Sequence, residues 1–421
     1  MKVSQYKVGA KRFVALVGEH EIPVRALANA FIYDEFLSAS FSTKLRVAQE
    51  LKLTLDYFDS VSIDVEGRVA SGEFLTPSEI SSFYGVMRLR RDSFEIREKI
   101  SVISIRLDSK KFRNAVAASQ FTNNKVDVET TAGRVRTLRK YITYLTDYFH
   151  GDRASQELRY RKDRLVARLK AKERYKSAKA TKTTFSSVEL SEKVIPDEYY
   201  ERFLEVIKPS SKDNPFKASK FRNYLILSIM NQTGMRRSEI CKIKISDCLF
   251  HGSGTLIRVY STPDDPTDSR LNKPNKKSGR SHFSGIKPEL MGEISFYVQH
   301  VRNNFEKARQ HDFLFVAEKD SKKTAGQPLT REMVNYISAK VSRKTGFDIN
   351  PHLLRHKWNE RFSEKGREKG LDRDFMEDMR RNAMGWHPES DMGRIYNDKF
   401  EQMAAINLML EHQEKVDGTK K

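Results

Sequence analysis

Apolar residues recur every three or four positions along two segments in the first third of the chain. In the first segment, SFSTKLRVAQELKLTLDYF, Ser42 suits the N-cap position, and the apolar stripe comprises Leu45, Ala48, Leu51, Leu55 and Phe58. In the second, ETTAGRVRTLRKYITYLTDYF, the stripe comprises Val135, Leu138, Ile142, Leu145 and Phe149. This spacing predicts two amphipathic helices whose apolar faces form a core.

The remaining pattern predicts further helices and a small sheet. Residues 1–22 form a predicted β-hairpin with Gly9 near its turn, while LIRVYS (256–261) alternates like a strand and a second strand is expected near 280–287. Thr330 caps a helix that Gly346 ends. The predicted fold class is therefore mostly α with a small antiparallel sheet (α+β).

A very basic stretch separates two halves of different character. Between Arg159 and Lys182 there are eleven Lys or Arg residues against two acidic ones. Such a stretch is either a solvated charged helix or a linker that follows the DNA backbone and releases counterions. The predicted domains are a hairpin (1–22), a helical domain (23–157), a basic linker (158–187), a mixed α/β domain (188–398) and a tail helix (399–421).

The net charge of the 421-residue chain narrows the choice of partner. A formal charge of +21 and a pI near 9.7 favour a polyanion. A membrane is disfavoured as the partner. No run approaches the ~20 apolar residues that span a bilayer, and the N-terminus lacks the features of a signal peptide. With only Cys241 and Cys248, a disulfide framework is excluded and a reducing, cytoplasmic location is expected.

The segment NPHLLRHKWNERF (350–362) admits two kinds of site. Asn350 suits an N-cap and Pro351 the first helical position, which places His352 and Arg355 near a helix start, where an anion is favoured. Alternatively, the two histidines four apart could bind a metal, although Leu353 stands where a zinc protease has its Glu. A His and an Arg that serve only in packing are the commoner alternative.

Three other segments carry candidate chemistry. Arg236 lies in TGMRRSEI just beyond a turn that Gly234 permits, and KPNKKSGRSHF offers lysines between the two predicted strands. MGWHPESDMGRIYND contains Trp386 and His387 ahead of Tyr396. Each segment by itself is a frequent chance match.

Taken in order, TGMRRSE, KKSGRSH, HLLRH and MGWHPESDMGRIY resemble the catalytic segments of the tyrosine recombinases, also called phage integrases. The resemblance is strong over about 190–400, whereas 23–155 resembles the core-binding domain of that family only in size, position and pattern. It implies that the Tyr396 hydroxyl attacks a DNA phosphodiester to give a 3′-phosphotyrosine, with no metal or other cofactor. Tyrosine has an ordinary pKa near ~10, so its hydroxyl needs activation.

The resemblance also implies roles for the other residues. Arg236 and Arg355 would bind the non-bridging oxygens, for which planar, bidentate donors suit better than lysines. His352 would act as general base or acid, and Glu239 would orient Arg236. Lys277 would protonate the leaving 5′ oxygen, with Lys276 and Lys273 as rivals.

One position departs from the family pattern. The family has a His or Trp directly after a Gly, nine residues before the nucleophile. Here Trp386 follows a Gly at a spacing of ten, while His387 has the spacing without the Gly. Trp386 is preferred, since its indole N–H can donate to a phosphate.

The expected activity is site-specific DNA recombination, for integration or excision of a mobile element. The expected partners are double-stranded DNA, a homo-tetramer whose tail helices dock into neighbouring protomers, and accessory DNA-bending or directionality proteins. Alternatives are a type IB topoisomerase and a DNA-binding regulator without catalysis. The basic residues expected to contact DNA are Arg134, Arg139, Lys140, Arg159, Arg161, Lys162 and Arg164.

Overall fold

The computed structural model describes residues 1–9, 11–90, 125–173, 195–250, 255–263, 265–276, 280–320 and 323–416, except the side chains of 399, 403, 407, 411 and 414–416. The chain divides into two compact units, Met1–Ala180 and Thr181–Lys421, and each has its own hydrophobic core.

The first unit begins with the predicted hairpin. Strands β1 (Lys2–Val8) and β2 (Lys11–Val17) pair antiparallel, and Gly9 at the turn has φ +58°. A positive φ is a conformation that glycine adopts without steric cost. Val14 and Leu16 of β2 are fully buried in the core of the unit, so the hairpin is part of that unit and not a separate module.

Six α-helices, besides a short 3-10 helix at Gly151–Arg153, complete the described part of the first unit. They are α1 (Ala26–Asp34), α2 (Phe41–Ser60), α3 (Val65–Ala70), α4 (Pro77–Met87), α5 (Val128–Phe149) and α6 (Gln156–Glu173).

Helices α2 and α5 are the two predicted amphipathic helices. Their stripes are buried except for Leu45, which is half-buried, and Phe149, which is exposed at the end of α5. The predicted N-cap Ser42 is wrong. Ser40 caps α2 instead, because its side chain accepts a hydrogen bond from the Thr43 backbone N–H.

The predicted basic linker does not begin at residue 158. Helix α6 packs along α5, and its Leu165 and Leu169 are buried in the core of the first unit. Charged residues surround this apolar pair, so composition alone conceals the buried face. The rest of the predicted linker, residues 174–187, lies outside the described residues.

The second unit combines eight described α-helices and four shorter 3-10 or π helices with one small sheet. The α-helices are α7 (Asp197–Val206), α8 (Lys220–Thr233), α9 (Arg237–Ile240), α10 (Pro288–Phe296), α11 (Arg331–Thr345), α12 (Pro351–Glu368), α13 (Arg373–Ala383) and α14 (Met392–Val416). The strands are β3 (Cys248–Leu249), β4 (Leu256–Val259) and β5 (His282–Gly285), antiparallel in the order β3-β4-β5. The predicted fold class, mostly α with a small antiparallel sheet, is confirmed.

Local capping sets the bounds of the two helices nearest the candidate site. Thr330 accepts a hydrogen bond from Met333 N–H at the start of α11, and Gly346, with φ +80°, ends that helix as predicted. Asn350 caps α12 by accepting from the backbone N–H groups of His352 (3.0 Å) and Leu353 (3.1 Å). The start of α12 is therefore positioned by its own sequence.

The predicted boundary between residues 398 and 399 is not present. Tyr396 and the tail lie on one continuous helix, α14, which packs against α12 and α13. Arg373 of α13 forms ion pairs with Asp398 and Glu401, two and five residues beyond Tyr396. In the described part of the chain, no helix is both long and apolar enough to cross a membrane.

Candidate active site

Tyr396 lies in the second turn of α14 and is only 6 % exposed. Its ring stacks on the Trp386 ring, with the centroids 5.8 Å apart and the planes 5° from parallel. Met384 completes this small cluster from the end of α13. The tertiary structure thus buries the candidate nucleophile beside Trp386, which the sequence analysis preferred over His387.

Arg355 joins two of the predicted segments. It lies in the second turn of α12, is 4 % exposed, and donates from Nη1 to the carbonyl of Gly234 at 2.7 Å. Its guanidinium carbon is 5.6 Å from the centroid of the Trp386 ring. Gly234 has φ +64°, a backbone conformation that residues with a side chain rarely adopt, and a Cβ there would lie 3.1 Å from the Trp358 ring.

Arg236 is held by the acidic residue that follows it. The backbone N–H of Arg236 donates to Glu239 Oε2 (2.8 Å), and Nη1 donates to Glu239 Oε1 (3.2 Å). Glu239 is buried, whereas Arg236 is half-buried. The expected contact between these two residues is present, and it orients the guanidinium from the short helix α9.

Burial and the nearby charges have opposite effects on the pKa of the Tyr396 phenol. Burial raises the pKa of the Tyr396 phenol, whereas Arg355, Arg236 and Arg380 lower it. Burial, followed by the nearby Arg236 charge, lowers the pKa of Arg355 to about 10, so this guanidinium is still charged at neutral pH. Positive charge therefore concentrates where the phenol would become a phenolate.

Arg380 belongs to this cluster although no predicted segment includes it. It is fully buried in α13, donates to Ser363 Oγ at 2.5 Å and lies 6.0 Å from the Tyr396 ring centroid. Burial lowers its pKa to about 10. In the sequence it is one of two adjacent arginines in an amphipathic helix, and only packing distinguishes the buried one from its neighbour.

The lysine loop contributes Lys276. Its side chain is buried, and Nζ donates to the carbonyls of Gly385 (2.9 Å) and Arg280 (2.6 Å). Burial lowers the pKa of Lys276, the Glu239 charge raises it, and the charges of Arg236 and Arg355 lower it.

The other two candidate lysines are Lys277 and Lys273. Lys277 lies outside the described residues. The ammonium of Lys273 donates to the Asp265 carbonyl at 2.8 Å. Lys276 is therefore the candidate lysine for which the described residues show an electrostatic interaction with Arg236 and Arg355.

In the loop before α14, the adjacent residues Trp386 and His387 differ in solvent exposure. Trp386 is 5 % exposed, whereas the side chain of His387 is 67 % exposed and lies 3.9 Å from Glu389. Gly385 has φ +56°, and a Cβ at that position would collide with His282. Burial lowers the pKa of His282 to about 4, so that ring is neutral at pH 7.

A cavity of about 560 Å³ lies beside these groups. Its lining includes Arg236, His352 and Arg355, together with Asn350 at the N-terminus of α12 and residues from one face of α11. Two guanidiniums, an imidazole and a helix N-terminus favour an anion there. Among the described residues, no group of three or more His, Cys, Asp or Glu side chains could hold a metal ion.

The basic residues predicted to contact DNA differ in their surroundings. The prediction that Arg134 contacts DNA is corrected. Arg134 is 8 % exposed and donates to the carbonyls of Met87 (2.7 Å) and Leu89 (2.8 Å), so it has a structural role. Arg139 forms an ion pair with Glu173.

The remaining basic residues lie at or near the surface of the first unit. Lys140 lies over the Phe36 ring. On α6, Arg159, Arg161 and Arg164 are exposed, and Lys162 is half-buried with its ammonium 3.8 Å from Asp147. These residues can present positive charge to solvent, whereas Arg134 is largely buried.

Residues 193–403, just over half of the chain, match the phage integrase family. The chain therefore belongs to the phage integrase family, whose members include the tyrosine recombinases named below.

Individual relatives match shorter regions. The chain is 28% identical over 149 residues to tyrosine recombinase XerA of Pyrococcus horikoshii, which covers 35% of this chain and 44% of that protein. It is 26% identical over 167 residues to tyrosine recombinase XerC of Staphylococcus aureus, which covers 39% of this chain and 47% of that protein. It is 24% identical over 135 residues to transposase A from transposon Tn554 of the same species, which covers 32% of this chain and 34% of that protein. The chain spans less than half the length of these curated relatives.

The chain is also similar to the solved structure of XerH site-specific recombinase bound to difH substrate. The two are 16% identical, the TM-score is 0.45, and the match covers 90% of this chain and 94% of that one. Another such structure is that of XerA recombinase, at 14% identity, a TM-score of 0.35 and coverage of 91% and 98%.

Proposed function

We propose that this protein is a site-specific recombinase that cuts and rejoins double-stranded DNA through a 3′-phosphotyrosine at Tyr396. The observation that carries the proposal is the cluster of Tyr396, Trp386 and Arg355, with Arg236 close enough to act on the pKa of the tyrosine. Membership of the phage integrase family supports the same activity.

The two guanidiniums would bind the non-bridging oxygens of the scissile phosphate. Arg355 is positioned by the Gly234 carbonyl and Arg236 by Glu239, so neither side chain needs much reordering when charge develops on the phosphate. The indole Nε1 of Trp386 is buried and has no hydrogen-bond partner among the described residues. It is therefore available as a third donor to a phosphate oxygen.

The reaction exchanges one phosphoester for another. The Tyr396 oxygen attacks phosphorus while the bond from phosphorus to the 5′ oxygen breaks. The phenolic proton passes to His352 as general base, and the leaving oxygen takes a proton from a lysine. The resulting phosphotyrosine is again a phosphodiester, so the 5′ hydroxyl of a partner strand can reverse the step without a cofactor.

For the general acid we propose Lys276 in place of Lys277. Its ammonium is buried beside Gly385, one residue before Trp386, and it lies within electrostatic reach of both arginines. A lowered pKa suits a group that must give up its proton during the reaction. Two backbone carbonyls hold this ammonium in place.

Recombination would take place in a homo-tetramer on DNA, and the end of α14 would supply contacts between protomers. Beyond the ion pairs of Asp398 and Glu401, the helix exposes Ile406, Leu408, Met409 and Leu410. An apolar surface of this kind favours docking onto another protomer. We place this activity in the cytoplasm, with mobile-element integration or excision as its use and accessory DNA-bending or directionality proteins as further partners.

The test is covalent attachment to DNA. Duplexes carrying the target site are incubated with wild-type protein and with Tyr396→Phe, and the adduct is separated under denaturing conditions. We expect an adduct with wild-type protein only, while a gel-shift assay shows equal DNA affinity for both. An adduct that persists in Tyr396→Phe would exclude Tyr396 as the nucleophile. Relaxation of plasmids regardless of sequence would instead indicate a type IB topoisomerase, and binding without an adduct a regulator that lacks catalysis.

A further inference from the structure

A second histidine lies against the proposed base. The Nε2 atoms of His352 and His356 are 3.0 Å apart, and their ring centroids are 4.3 Å apart at an interplanar angle of 70°. The two residues are four apart on α12, a spacing that brings side chains together on one face of a helix. His352 is exposed at the helix start, whereas His356 is half-buried one turn further in.

The same second histidine also contacts the proposed nucleophile. The centroid of the His356 ring is 5.4 Å from that of the Tyr396 ring, with the planes tilted by 50°. His356 therefore touches a residue on each side of the proposed proton transfer, and none of the roles assigned above uses it.

Two nitrogens at this distance share one hydrogen bond. In a neutral imidazole, one ring nitrogen carries the proton and the other is an acceptor, so one Nε2 must donate to the other. When His352 donates from Nε2, its lone pair stays on Nδ1, where it can accept a proton. A partner that fixes the tautomer of a catalytic imidazole also fixes its rotamer.

We propose that His356 is a positioning residue for the reaction: it accepts the hydrogen bond from His352 Nε2–H, holds that imidazole in one tautomer, and packs against the ring of Tyr396. The inference rests on the proposed function, because it assigns His356 a part in the reaction of that site. It also gives the pair of histidines a use that requires no metal ion.

Three substitutions separate the hydrogen bond from the packing. His356→Gln can place an amide oxygen near the position of Nε2, whereas the shorter amide of His356→Asn reaches only the position of Nδ1. His356→Phe keeps a ring against Tyr396 and loses the acceptor. Adduct formation is measured in single turnover, at saturating protein and with EDTA present, on a duplex nicked so that cleavage cannot reverse.

We expect His356→Phe and His356→Asn to slow adduct formation by about 10-fold. This is less than the full contribution of a positioned acid or base, because His352 itself is still present. His356→Gln should remain within about 3-fold of wild type, and thermal unfolding and DNA affinity should be alike for all three. Equal rates for Gln and Phe would overturn the proposal. So would loss of wild-type activity when EDTA is added, because the pair would then hold a metal.

A second readout does not depend on activity. In protein with ¹⁵N-labelled histidine, long-range ¹H–¹⁵N spectra report the tautomer of each ring, and His352→Gln identifies the signals of His352. We expect His352 to be a single Nε2–H tautomer in wild type and a mixture in His356→Phe. An unchanged His352 signal in that variant would refute the proposal even if Tyr396 formed no adduct, so the two failures can be told apart.

Discussion

The indole ring of Trp386 lies parallel to the phenol ring of Tyr396, with 5.8 Å between centroids, and the same indole lies 5.6 Å from the guanidinium carbon of Arg355. Trp386 thus connects the helix that carries the proposed nucleophile with the proposed phosphate-binding arginine. His387, one residue further along, points its imidazole into solvent. A parallel stack also limits how the phenol can turn, so the loop and α14 are coupled.

Trp386→Phe should separate stacking from hydrogen bonding. The phenylalanine ring can still lie on Tyr396, but the N–H donor is lost, and loss of one donor to a developing charge costs on the order of 100-fold in rate. We expect this loss in the rate of adduct formation at unchanged DNA affinity. His387→Ala is the matched control and should react like wild type; a slow His387→Ala beside a normal Trp386→Phe would reverse the assignment.

The lysine assignment predicts a pH dependence. A general acid must be protonated to act, and burial lowers the pKa of Lys276 below its ordinary value of 10.5. Cleavage should therefore be lost as pH rises through that lowered pKa, at a more acidic pH than an ordinary lysine would give. Adduct formation measured between pH 6 and pH 10 tests this, and a rate that is undiminished at pH 10 contradicts it.

A modified substrate distinguishes Lys276 from Lys277. Sulfur in place of the 5′ bridging oxygen leaves as a thiolate, which needs no proton. We expect Lys276→Met to react slowly on normal DNA and almost normally on the sulfur substrate, whereas Lys277→Met is close to wild type on both. If only Lys277→Met shows this rescue, Lys277 is the acid.

Polar substitutions in the tail should abolish assembly without affecting the fold. Leu408→Ser combined with Met409→Ser removes apolar surface that is 68% and 63% exposed and lies beyond the ion pairs that hold α14 to α13. We expect single-site DNA binding to be retained and cooperative binding to paired sites to be lost in gel-shift assays. Leu37→Ser, at a position 77% exposed in the first unit, is the control. Undiminished cooperativity in the double variant would show that the tail does not link protomers.

Arg134→Met should lower stability and leave DNA affinity unchanged. The substitution leaves the carbonyls of Met87 and Leu89 without the donor that now binds them, and burial of unsatisfied acceptors costs roughly 2 kcal/mol. Urea unfolding should show this loss in the free energy of unfolding. Arg161→Met, on the exposed face of α6, should instead change stability by less than about 0.5 kcal/mol and weaken DNA binding in low salt. Weakened binding by Arg134→Met at unchanged stability would restore Arg134 as a DNA contact.

Three features of the chain depend on partners that residue type alone does not reveal. Ser42 and Ser40 are equally good caps by residue type, and α6 looks like a solvated linker because Leu165 and Leu169 are outnumbered by charges. Arg134 and Arg136 are alike in the sequence, although only Arg134 reaches two carbonyls about 45 residues away. In each case the deciding partner is set by backbone geometry or by a distant segment.

The sequence by itself determined the helices with clear apolar periodicity, the caps at Thr330 and Asn350, the basic character of the chain, and the residue types of the candidate site in their order. These depend on local spacing and on side-chain chemistry, which a linear chain already contains. Only the tertiary structure decided that Lys276 lies within electrostatic reach of the arginines, that Trp386 and not His387 meets Tyr396, and that Arg380 and His356 adjoin them. Those relations depend on burial and on contacts between residues far apart along the chain, and such contacts exist only once the core has packed.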